Sequence, residues 1–132
     1  MKIEHLAIWV DNIDLLREFY MKYFNCDCGD KYFNSKKNFT SHFLSFKEGG
    51  TRIELMHIPE METPQSRGNL KGLAHFAITV GDRDMVNILT ETLRNDGYVI
   101  ASEPRITGDG YYESAILDPE GNIVELLASG II

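Results

Sequence analysis

Cysteine is scarce in this chain: only Cys26 and Cys28 occur among 132 residues. One intervening residue is too short a spacing for an ordinary disulfide, and no second pair exists to build a cysteine zinc site. The two are expected to be reduced thiols at the start of a strand. No apolar run approaches the roughly 18 residues of a membrane span, and no hydrophobic leader follows Met1. Basic charge is also short, with 13 Lys and Arg against 20 Asp and Glu and a net charge of −7. That balance argues against nucleic acid or an anionic membrane as the main partner, since both reward a basic face. It says little about a small-molecule substrate. These absences lead to the expectation of a soluble, untagged cytoplasmic protein. What is present is ordinary for a globular chain, 43% hydrophobic and 25% charged. At this length about two thirds of the unfolded surface can be buried, so a core without disulfides is feasible.

The chain repeats itself once, at long period. Residues 3–10 read I-E-H-L-A-I-W-V and residues 73–80 read L-A-H-F-A-I-T-V. With His5 laid on His75, Ala7 meets Ala77, Ile8 meets Ile78 and Val10 meets Val80. Further on, Ile53-Glu54-Leu55 lies over Val124-Glu125-Leu126. His75 stands 70 residues after His5, and Glu125 stands 71 after Glu54. Two separate matches at nearly one offset are hard to obtain by chance, and each carries a histidine or a glutamate.

Hydrophobic periodicity predicts the same order of elements in both halves. In the first, residues 2–10 alternate as a strand and Asp11 or Asn12 can cap a helix over 13–24, with Leu15, Leu16, Phe19, Tyr20 and Tyr23 at helical spacing. Strands follow near 27–34, 39–47 and 51–58, the last two joined by a turn at Glu48-Gly49-Gly50. In the second half, 73–80 is a strand and 83–95 a helix with Met85, Ile88, Leu89 and Leu93 facing inward, ended by Asn95-Asp96-Gly97. Strands near 98–106, 111–117 and 122–128 complete it, with Asp118 to Asn122 as a hairpin turn. Pro59, Pro64, Gly68 and Gly72 mark a linker. The prediction is one α+β domain over 1–132: a β-α-β-β-β module at 1–58, a linker at 59–72 and a second such module at 73–132, the pair forming a half-open barrel.

Strand side chains alternate between faces. His5 therefore shares a face with Ala7 and Trp9, against Leu6, Ile8 and Val10. His75 goes with Ala77 and Thr79, Glu54 with Arg52, Met56 and Ile58, and Glu125 with Ile123 and Leu127. In each case the opposite face is the more solidly apolar. A carboxylate in such a strand is costly to bury unless it is paired or bound to metal. Two imidazoles and two carboxylates suit a borderline or hard divalent ion with open positions for substrate oxygens. A single His or Glu on a strand is more often a surface or satisfied core group; the paired offsets are what favour metal. His42 and His57 lack that support and are read as non-ligating.

With these motifs in hand, the sequence resembles the vicinal oxygen chelate superfamily, within it the glyoxalase I (lactoylglutathione lyase) branch, over essentially the whole chain. The resemblance rests on the two histidine strands, Leu16-Arg17-Glu18-Phe19-Tyr20, Arg52-Ile53-Glu54-Leu55 and D-P-E-G-N-I-V-E-L ending at Leu126. It implies the glyoxalase/bleomycin resistance/dioxygenase fold and one divalent metal ion, zinc or nickel with cobalt as a further option, held by His5, Glu54, His75 and Glu125. It also implies proton transfer through a metal-bound enediolate with Glu125 as base and Glu54 as its partner. A homodimer is implied too, with His5 and Glu54 of one chain meeting His75 and Glu125 of another. Glutathione-using members carry Arg and Asn where this chain has Trp9 and Ile58. The resemblance thus implies the chemistry without implying glutathione as the thiol. Trp9, Met56, Ile58, Ala77 and Leu127 are the expected substrate contacts. The alternatives are a ring-cleaving dioxygenase, an epimerase or a fosfomycin-type transferase, all of which the presence of Glu54 disfavours, and a non-enzymatic binding protein of the same fold.

Overall fold

A computed structural model describes residues 1–65 and 69–130. Part of the expected linker, residues 66–68, and the last two residues of the second module lie outside the described residues. The chain divides into two compact units, Met1–Thr63 and Pro64–Ile132.

The first unit runs β1 (His5–Trp9), α1 (Ile13–Phe24), β2 (Cys26–Cys28), β3 (Tyr32–Asn34), β4 (Phe39–Phe46) and β5 (Arg52–His57). Its sheet has the order β1-β5-β4-β2, with β3 also on β4. β1 and β5 are parallel, and the other pairs are antiparallel. The second unit runs β6 (Phe76–Gly81), α2 (Arg83–Asn95), β7 (Ile100–Ile106), β8 (Tyr112–Leu117) and β9 (Ile123–Ala128), with sheet order β6-β9-β8-β7. β6 and β9 are the parallel pair here. The two units therefore match strand for strand, β1 with β6, β5 with β9 and β4 with β8. Both sheets are open, and the α+β class follows directly from the sequence pattern.

One side of each sheet is the core. Leu16, Phe19 and Tyr20 of α1 are buried with Leu44, Ile53 and Leu55 of the strands. Val86 and Leu93 of α2 are buried with Ile116, Val124 and Leu126. Asn12 caps α1, its side chain accepting the Leu15 N–H at 3.0 Å, and Asp82 caps α2 through the Met85 N–H at 2.9 Å. The helix–strand connections thereby fix where β1 and β6 end.

Three expectations are corrected. The single strand near 27–34 is two short strands separated by Gly29 to Lys31. The eight-residue β4 is long enough to pair β3 at Phe39–Ser41 and β2 at Leu44–Phe46. In α1, Leu15 is 42% exposed, and Ile13 and Phe24 are buried instead. In α2, Met85 and Ile88 point outward, at 42% and 57% exposure, while Val86 and Thr90 are fully buried. Thr90 tolerates burial because its hydroxyl donates to the Val86 carbonyl at 2.6 Å and meets Ser114 Oγ at 2.7 Å. Among the described residues, no helix is long and apolar enough to cross a membrane.

Candidate metal half-sites

Sheet register places the histidines and glutamates. In the first unit Ala7 pairs with Glu54, so His5 stands two residues before the residue opposite the glutamate. In the second unit Ala77 pairs with Glu125, and His75 again stands two residues before it, immediately ahead of β6. Alternation puts each His on the same side as its Glu, away from the helix. The antiparallel neighbours are also equivalent: Phe43 of β4 lies opposite Glu54, and Ala115 of β8 lies opposite Glu125.

The side chains meet accordingly. His5 Nε2 lies 3.8 Å from Glu54 Oε1, and His75 Nε2 lies 3.1 Å from Glu125 Oε1. Both glutamates are largely covered, with side chains 15% and 21% exposed, while both histidines reach solvent. Each unit thus presents one imidazole nitrogen and one carboxylate oxygen side by side. Among the described residues, no group of three or more His, Cys, Asp or Glu side chains is placed to hold a metal ion. The donors fit a divalent cation in kind, since nitrogen and oxygen ligands without thiolate suit zinc, nickel or cobalt.

Burial pushes the Glu125 carboxyl above the usual carboxylate range, and the charge of Glu113 adds to the effect, against His75 and Arg105. Glu113 is itself only 16% exposed, and Arg105 reaches it at 3.9 Å. In the first unit, His5 and then Arg52 hold the Glu4 carboxyl below its usual range through side-chain hydrogen bonds.

The other expected contacts lie around these pairs. Trp9, 49% exposed, is opposite Met56 in the β1–β5 register and meets the Phe39 ring edge-on. Ile58 is half-buried just past β5, Ala77 is exposed beside Glu125, and Leu127 is half-buried two residues beyond it on β9. His57 lies on the other side of β5 from Glu54, and its Nδ1 donates to the Val10 carbonyl, 2.8 Å away. His42 is buried on the helix side, its Nδ1 donating to the Gly29 carbonyl at 3.0 Å. Sequence reasoning passed over Glu4 and Glu113. The periodic pattern flags apolar positions and repeated ligands, and neither residue has a counterpart in the other half. For Glu113, the signal available was a third carboxylate whose parity on β8 puts it on the side of the sheet that carries Glu125.

Comparison with known proteins adds the wider setting. The model of the Glyoxalase/Bleomycin resistance protein/Dioxygenase superfamily matches residues 2–126. A search of curated proteins gives no match. Among solved structures, the chain is similar to a glyoxalase family protein from Bacillus cereus, with 16% identity, 97% of this chain and 93% of that chain covered, and a TM-score of 0.82. It is similar to the trypanothione-dependent glyoxalase I of Leishmania major, with 23% identity, 97% and 86% covered, and a TM-score of 0.74. It is also similar to glyoxalase I from Zea mays, with 23% identity, 96% of this chain but 44% of that chain covered, and a TM-score of 0.72. The chain belongs to the Glyoxalase/Bleomycin resistance protein/Dioxygenase superfamily.

Proposed function

We propose that the protein is a metal-dependent, glyoxalase I-like lyase that moves a proton between adjacent carbons of a hemithioacetal, the adduct of a 2-oxoaldehyde and a thiol. The observation that carries this reading is the repeated half-site: two His–Glu pairs set by the same strand register in two matching units. His5, Glu54, His75 and Glu125 would hold one divalent ion, zinc or nickel with cobalt also suited. When bound, that ion supplies positive charge to the substrate's two oxygens and lowers the cost of carbanion character beside the carbonyl.

Glu125 is the base in this reading. Its carboxylate takes the proton at the hydroxyl-bearing carbon and returns it to the neighbouring carbon. Glu54 faces the substrate from the other half-site. Two copies of the chain complete the site, His5 and Glu54 from one and His75 and Glu125 from the other. Support for that assembly comes from the Zea mays glyoxalase I, of which one copy of this chain covers 44%. The surroundings are less polar than glutathione recognition calls for, because Trp9, Met56, Ile58, Ala77 and Leu127 supply hydrocarbon.

The test is reconstitution. Purified protein is loaded separately with nickel, cobalt and zinc, and assayed with methylglyoxal hemithioacetals of several thiols, charged and neutral. Turnover with at least one metal–thiol combination is expected, with Glu125→Gln losing it by at least about a hundredfold, as for removal of a general base. Metal uptake with no turnover across the panel would contradict the reading.

A further inference from the structure

Glu4 stands directly before the first histidine, outside the alternation of β1, and its side chain turns back onto the half-site. Its Oε2 accepts from His5 Nδ1 at 2.5 Å. Its Oε1 accepts from Arg52 Nε at 2.7 Å and lies 2.5 Å from the terminal guanidinium nitrogen. The Arg52 guanidinium lies over the Phe43 ring, 4.2 Å from its centre, and the same ring meets His5 edge-on at 5.3 Å. The histidine is therefore gripped from two directions, by a carboxylate and by an aromatic ring.

An ionised carboxylate only accepts hydrogen bonds, so His5 Nδ1 must carry the proton and Nε2 is left with an open lone pair. That Nε2 is the atom turned toward Glu54. The second unit has Ala74 in the position of Glu4, a side chain that accepts no hydrogen bond.

We propose that Glu4 is a positioning residue for the metal site: it fixes His5 in the Nδ1–H tautomer and presents Nε2 to the ion, a support that the sequence gives only one of the two histidines. The inference rests on reading His5 and Glu54 as metal ligands. Carboxylates that orient a ligating imidazole change metal affinity by roughly 10–100-fold. Glu4 is 54% exposed, and water replaces part of what it does, so the effect belongs at the low end of that range.

The experiment compares wild type, Glu4→Gln, Glu4→Ala and Arg52→Met. Nitrogen-15 imidazole spectra of the metal-free proteins at pH 8.5 read the tautomers, and competition with a chelator reads zinc affinity. His5 in the wild type is expected as Nδ1–H. Glu4→Ala shifts it toward the Nε2–H form that a free imidazole prefers and weakens zinc about tenfold. Glu4→Gln keeps the Nδ1–H form, because its amide oxygen still accepts, and recovers most of the affinity. Arg52→Met leaves the tautomer in place, and the His75 signals stay still throughout. An unchanged His5 tautomer or unchanged zinc affinity in Glu4→Ala overturns the inference. A wild-type protein that binds no zinc overturns the metal reading itself, and the metal-free spectra tell that outcome apart from a failure of Glu4.

Discussion

Replacing Glu125 with glutamine removes a charge that the fold has partly desolvated. The side chain is 21% exposed, lies between Val124 and Leu126 on a mostly buried strand, and faces the charge of Glu113. Its carboxyl is raised in the folded state, burial being the first cause. The sign follows: at neutral pH the ionised group favours the unfolded chain, and the penalty disappears as pH falls below its ordinary value near 4.5. With His75 at 3.1 Å and some solvent contact, the penalty sits at the low end for a desolvated polar group, about 1 kcal/mol. Metal-free Glu125→Gln is therefore expected to melt about 3–5 °C above wild type at pH 7, with the gap closing toward pH 4. Zinc at a hundred times its dissociation constant stabilises the wild type by about 2.7 kcal/mol and leaves the variant nearly unmoved. The order of stability then inverts. Calorimetric melts of both proteins in chelator and in zinc measure this directly. A variant less stable than wild type without metal would refute the desolvation argument. Equal stabilisation of both by zinc would refute Glu125 as a ligand.

Further outcomes follow from the core, the caps and the thiols. Leu126→Ala, at a fully buried position next to Glu125 on β9, is expected to cost about 3 kcal/mol by chemical denaturation, well beyond any effect at exposed Ile88. Asp82→Ala removes the α2 cap and is expected to cost about 1 kcal/mol; a loss below a few tenths would show that the Met85 N–H finds another partner. Cys26 is buried, donates to the Tyr20 carbonyl at 3.0 Å, and has its thiol pushed up to about 11 by burial. Cys28 is half-buried, so alkylation at pH 8 followed by peptide mapping is expected to find Cys28 modified well before Cys26.

The facing of the two His–Glu pairs was legible in the sequence because strand alternation and an internal repeat are both one-dimensional signals. Parity alone assigned His5, Glu54, His75 and Glu125 to the sides of the sheets away from the helices, and the Ala7–Glu54 and Ala77–Glu125 registers agree with it. What periodicity missed depends on partners far along the chain. Thr90 displaced Ile88 from the inward face of α2 because Ser114, on a strand 24 positions later, satisfies its hydroxyl. The split of 27–34 reflects the length of β4, which the first strand's own residues do not encode. Glu4 was invisible for a similar reason: Arg52, which helps hold it beside His5, lies 48 positions away. The Asp118 turn was legible because its chemistry is local. Asp118 Oδ1 accepts the Glu120 and Asn122 N–H groups, both at 2.9 Å, and Gly121 takes a φ of 83° that other residues resist.

The central claim is that both His–Glu pairs serve one ion. Metal analysis after dialysis, on wild type and on the two pair variants His5→Gln/Glu54→Gln and His75→Gln/Glu125→Gln, tests it most directly. The account predicts one zinc or nickel ion per chain in the wild type and none retained by either variant. Retention of a full equivalent by either pair variant, or two ions per wild-type chain, would contradict it.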